Sequence, residues 1–99
     1  MNKKFLAVAV LAAGMGVSSV AFANPVCEAQ KAAAPDLVEA RDNNTDIDEV
    51  FSAIDTNASS EASATVLKES VSAIYQDESI TAETAAEMIH QHCISKLGA

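Results

Sequence analysis

The stretch His90-Gln91-His92-Cys93 carries the densest potential chemistry in this chain. Two imidazoles and a thiol within four positions are zinc- and copper-ligand types, and a thiol beside an imidazole is the pairing of a cysteine nucleophile with its base. Spacing decides between these readings. On a helix, residues two apart point about 200° from each other, so His90 and His92 cannot grip one ion together. His90 and Cys93 share a face. Glu83, Glu87 and His90 stand four and three positions apart, which makes a weak carboxylate–imidazole site for a divalent cation geometrically feasible. The competing reading is a solvated helix face, with histidines near a C-terminal turn where partial positive charge is favourable. That reading carries more weight, so no metal site is expected.

Cys93 has one other cysteine to consider, Cys27. An even cysteine count in a small exported chain reads as a disulfide. No C-x-x-C and no basic neighbourhood is present to depress a thiol pKa. The expectation is a Cys27–Cys93 bridge, with a reactive thiol or an intermolecular bridge as alternatives. Closing so long a loop stabilises by about 4 kcal/mol through denatured-state entropy.

Other candidate sites fail on spacing. Asp42-Asn43-Asn44-Thr45-Asp46 places oxygen ligands like the start of a calcium loop, but Ile47 and Ala53 stand where Gly and Glu are needed. Asp55-Thr56-Asn57-Ala58-Ser59 fails in the same way at Ser60 and Val66. Both read as turns between helices. No nucleophile elbow, triad motif or phosphate loop is present. The sequence predicts no enzyme, no catalytic residue and no cofactor.

The elements that must position these residues are helical. Alanine is frequent, no glycine falls between Gly16 and Gly98, and no alternating strand pattern occurs. A first segment opens at Asn24-Pro25, a cap followed by a pre-organised first turn. Cys27, Lys31, Ala34 and Val38 share its face, and Pro35 should kink or split it. A second starts at Thr45 as N-cap, with the stripe Ile47, Val50, Phe51 and Ile54. A third runs from about Glu61 to Gln76, with Leu67, Val71 and Ile74 inward. A fourth is capped by Thr81, preceded by the staple residue Ile80, striped by Ala82, Ala86, Ile89, Cys93 and Leu97, and ended by Gly98. The expected fold is all-α, a small bundle of about four short helices closed by one disulfide.

The beginning of the chain sets its compartment. Lys3 and Lys4, an apolar run from Phe5 to about Val17, and Ala21-Phe22-Ala23 read as a cleaved bacterial secretory signal peptide. Residues 1–23 are then the signal and 24–99 the helical domain, periplasmic or secreted. That domain carries four bases (Lys31, Arg41, Lys68 and Lys96) against all 14 acids, a formal net charge of −10. Such a field repels nucleic acid and anionic lipid. It suits a cationic protein, and its plainest role is solubility. No membrane association is expected of the mature form, and an exposed helix stripe would serve a homodimer as well as a foreign partner.

Cys27, "ARDNNTDIDEVFSAI" over 40–54, "AIYQDESIT" over 73–81 and Cys93 occur in that order after the signal. In this layout the chain resembles a group of small exported bacterial helical proteins with one disulfide. A turn glycine is expected there after the Arg-Asp pair. Asn44 takes its place here, and asparagine also tolerates the left-handed conformation. More loosely the chain is similar to periplasmic immunity proteins that neutralise type VI secretion amidase effectors, and to periplasmic acid-stress chaperones. These resemblances imply a small binding or interaction protein of immunity or inhibitor type. An acid-stress chaperone and a weak divalent-cation binder are the alternatives.

Overall fold

The computed structural model of the protein describes residues 24–98. The signal-peptide reading of residues 1–23 lies outside the described residues. Five helices follow one another: α1 (Pro25–Ala32), α2 (Ala34–Asp42), α3 (Ile47–Asn57), α4 (Glu61–Gln76) and α5 (Ala82–Leu97). No strand occurs among the described residues. The helices α1 and α2 are one segment broken at Ala33, so the bundle has four helical elements, as the sequence predicts. Pro35 supplies the physical reason for the break. It has no N–H to give to the carbonyl four residues back, and its ring crowds that carbonyl. The chain releases the ladder two residues early, and Pro35 takes the second position of α2, where no donor is missed.

Each remaining start is fixed by a side chain that accepts an orphan N–H. Asn24 accepts from Val26 at 2.9 Å and opens α1. Ser60 and Ser63 form a reciprocal capping box for α4. Thr81 accepts from Thr84 at 3.2 Å and opens α5. For α3 the expected cap, Thr45, is displaced by one residue. Asp46 is the N-cap, accepting from the Asp48 N–H at 3.2 Å. Thr45 belongs instead to the turn before it. Its N–H donates to the Ala40 carbonyl at 2.9 Å, and its carbonyl accepts from the Tyr75 hydroxyl at 2.9 Å. That turn runs through Asn44, whose φ of 61° is the left-handed conformation expected at this position.

The main core gathers Leu37, Val38, Val50, Ile54, Leu67, Val71, Ile74, Ala85 and Ile89, so every helix except α1 contributes to it. Ile80 packs against this cluster just before α5. A separate cluster joins Cys27 of α1 to Val66 of α4 and Cys93 of α5, with Ile94 and Leu97 at its edge. In α1 the inward face differs from the expected one: Ala29 and Gln30 are buried beside Cys27, while Lys31 is exposed. The period allows either neighbour inward. A lysine ammonium cannot be desolvated without a partner, whereas the Gln30 amide Nε2 donates to the Ser63 carbonyl at 3.0 Å.

Candidate functional site

Cys27 and Cys93 form a disulfide, with both residues fully buried and their Cα atoms 5.4 Å apart. The bridge joins the first helix to the last across a sequence separation of 66. The sulfurs are therefore structural, and neither cysteine is free. Just beyond them, Asn24 Nδ2 donates to the Gly98 carbonyl at 2.8 Å, so the same side chain caps α1 and ties it to the end of α5. Gly98 has φ 91°, which favours glycine, and closes α5 as expected.

The histidines flank this staple on opposite sides, as the helical period requires. His90 Nε2 lies 3.0 Å from Glu28 Oε2 on α1, and His92 Nε2 lies 2.7 Å from Glu69 Oε1 on α4. Both imidazoles are half-buried, so they are interhelical contacts rather than a solvated face. Sequence reasoning missed this because neither carboxylate is near its histidine along the chain. Glu83, Glu87 and His90 do not come together as a ligand set. Among the described residues no group of three or more His, Cys, Asp or Glu side chains could hold a metal ion.

A second buried polar arrangement sits at the other end of α4. Arg41 is 7 % exposed, and its Nη1 donates to the carbonyls of Ile74 at 3.3 Å and Asp77 at 3.0 Å. These carbonyls lie at the C-terminal end of α4, and each also accepts one backbone N–H, Ile74 from Asp77 at 3.3 Å and Asp77 from Ile80 at 3.2 Å, so the guanidinium adds a second, charged donor to each. The guanidinium also pairs with Asp42 at 2.9 Å. Arg41 is thus a C-cap supplied from another helix, and the run Asp42–Asp46 that resembled a calcium loop is the turn that presents it. Next to it, the Asp77 carboxylate accepts from the Ser79 hydroxyl at 2.6 Å and the Ser79 N–H at 3.0 Å. The hydroxyl bond first, then the N–H bond, holds this carboxyl below its ordinary value, with the Arg41 charge adding. Asp36, on α2, moves the other way. Burial raises it and the neighbouring Glu39 charge adds, and its Oδ2 is buried without a hydrogen-bond partner.

Two grooves stand out among the described residues. One of about 390 Å³ runs between α1–α2 and α5, with a floor of Ala32, Pro35, Ala82 and Ala86 and a rim of Glu28, Lys31 and Glu83. The other, about 300 Å³, lies between α3 and α4 and is lined by Phe51, Thr65, Lys68, Glu69 and Ser72. Its charged groups already have partners inside the molecule. Lys68 pairs with Asp55 at 2.8 Å and lies 5.8 Å from the Phe51 ring centroid, while Glu69 holds His92.

The fold and these sites define a class: a disulfide-stapled all-α bundle. No family model matches the chain, and no curated protein or solved structure proved similar to it. Among the described residues no helix is long and apolar enough to cross a membrane.

Proposed function

We propose that the protein is an exported interaction module that binds a protein partner, with an immunity or inhibitor role as its concrete form. The observation that carries this reading is the pairing of a covalently closed bundle with an open, apolar-floored groove rimmed by two carboxylates and a lysine. A rigid scaffold lowers the ordering cost of association. A buried disulfide is formed and kept in an oxidising compartment, which supports cleavage after Ala23 and a periplasmic or secreted location. The chaperone alternative needs apolar surface to be released at low pH, and a bridge between the first and last helices works against that opening.

The test uses oxidised protein, purified after expression of the full chain, as an immobilised bait for periplasmic and secreted proteins of the same organism. A partner forming a stoichiometric complex, measured by calorimetry at nanomolar affinity and 0.15 M salt, is the expected result. Absence of any stoichiometric partner overturns the reading.

A further inference from the structure

The groove between α1–α2 and α5 combines two features. Its floor is made of three alanine methyls and a proline ring, while one carboxylate on its rim is unengaged. We propose that this groove docks an arginine-bearing cationic segment of the protein partner. The arginine stem lies on Ala32, Pro35, Ala82 and Ala86, and its guanidinium meets Glu83. The inference rests on the interaction-module reading above.

The chemistry selects this occupant step by step. The floor offers no side-chain hydrogen-bonding group, so it suits methylene groups, and long cationic side chains cover apolar surface with their stems while the head stays polar. Of the two rim carboxylates, Glu28 is held by His90. The Glu83 side chain is exposed and has no hydrogen bond or ion pair among the described residues. A free carboxylate accepts a guanidinium through two parallel N–H bonds, which an ammonium cannot reproduce. Lys31 stands on the rim as well, and its charge steers a cationic head towards Glu83.

The field of the whole molecule acts in the same direction. Over residues 24–99, four bases against 14 acids repel a second copy of this chain and draw a cationic partner. The α3–α4 groove differs in that its charged groups, Lys68 and Glu69, are both already paired inside the molecule.

The test is a titration of the oxidised protein, expressed as the full chain with ¹³C-methyl alanine, against three synthetic twelve-residue amphipathic peptides. One bears three arginines, the second three lysines, the third three glutamates. The arginine peptide should shift the methyls of Ala32, Ala82 and Ala86. The lysine peptide should bind more weakly, and the glutamate peptide should leave those methyls unmoved. Glu83→Gln should weaken the arginine peptide about fivefold, the upper range for one exposed charge pair. Lys31→Gln should tighten it. Both changes lie on exposed side chains, so folding is preserved. Shifts confined to another face, equal binding of all three peptides, or an affinity unchanged by Glu83→Gln overturns the proposal. Concentration-dependent shifts of the same methyls without peptide assign the groove to a second copy and also overturn it. Glu83→Lys in the bait assay separates the two levels. If the unmodified protein captures a partner and Glu83→Lys captures it equally well, the groove assignment fails and the module reading stands. If the unmodified protein captures none, the module reading itself fails.

Discussion

The two ends of α4 are held by opposite means. Near its start, the Cys27–Cys93 bridge joins α1 to α5 against Val66, and Gln30 reaches the Ser63 carbonyl. At its finish a single buried guanidinium, Arg41, gathers the last carbonyls of the helix. One end is closed by a bond that persists in the denatured chain, the other by hydrogen bonds that vanish with the fold. The first acts by reducing the freedom of the unfolded state. The second acts only on the folded state, by adding a charged donor to carbonyls that each hold one backbone hydrogen bond. The difference teaches that a core this small is secured at its boundary, by one device that needs oxidation and one that does not.

Breaking each device separately tests that contrast. Removing the bridge with Cys27→Ala and Cys93→Ala together should cost about 4 kcal/mol in urea unfolding. Hydrogen exchange should then quicken first in α1 and the last turn of α5. A loss below about 1 kcal/mol would mean that the denatured chain is already compact. Arg41→Ala should cost about 2–3 kcal/mol, because the Ile74 and Asp77 carbonyls lose a charged donor. Here exchange should quicken in the last turn of α4 and leave α1 protected. If both variants loosen the same amides, the two ends are not independent. Asn44→Ala should cost roughly 1–2 kcal/mol because φ is 61° there, while Asn44→Gly should be near neutral in the same melts. His90→Ala and His92→Ala should each cost about 0–1 kcal/mol, since the pairs are partly exposed.

The smallest effect is a pH dependence at the arginine end. The folded Asp77 carboxyl is held low, so the unfolded state binds its proton more readily. Its contribution is present above the ordinary aspartate value of 3.8 and is lost as pH falls through the folded value. Asp77→Asn should therefore lower Tm at pH 7 and leave it unchanged in strong acid. Asp36 should show the reverse sign, because its carboxyl is held high. Its ionisation weakens the fold as pH rises above 3.8, and NMR titration of the two carboxyls should place them on opposite sides of that value.

Much of the cysteine end was legible along the chain, and little of the arginine end was. Two cysteines admit one internal pairing, and helical period alone sends His90 and His92 to different faces. Thr81, Ile80 and Gly98 are local signals, and α5 begins and ends where they place it. Arg41 gives no such signal. Its partners lie 33 and 36 positions away, and a backbone carbonyl leaves no mark in sequence. The Thr45–Asp46 ambiguity is similar. Both residues can cap, and the distant Tyr75 hydroxyl bonds the Thr45 carbonyl, which belongs to the turn rather than to the helix start. For Lys31 against Gln30, the choice depended on the Ser63 carbonyl opposite, which periodicity does not contain. The groove escaped notice because Ala32, Ala82 and Ala86 look like ordinary helix formers until two helices leave a space between them.

The bridge between Cys27 and Cys93 has a consequence for survival among proteases. All four connections between helices, from Ala33 to the stretch before Thr81, lie inside the covalent ring it closes. A single cut at Asn57–Ser60, where the backbone leaves α3, would open the ring without releasing a piece. The nicked molecule would keep its mass, apart from the added water, and both sides of its core tethered together. Two cuts, or one cut and a reductant, would be needed to take it apart.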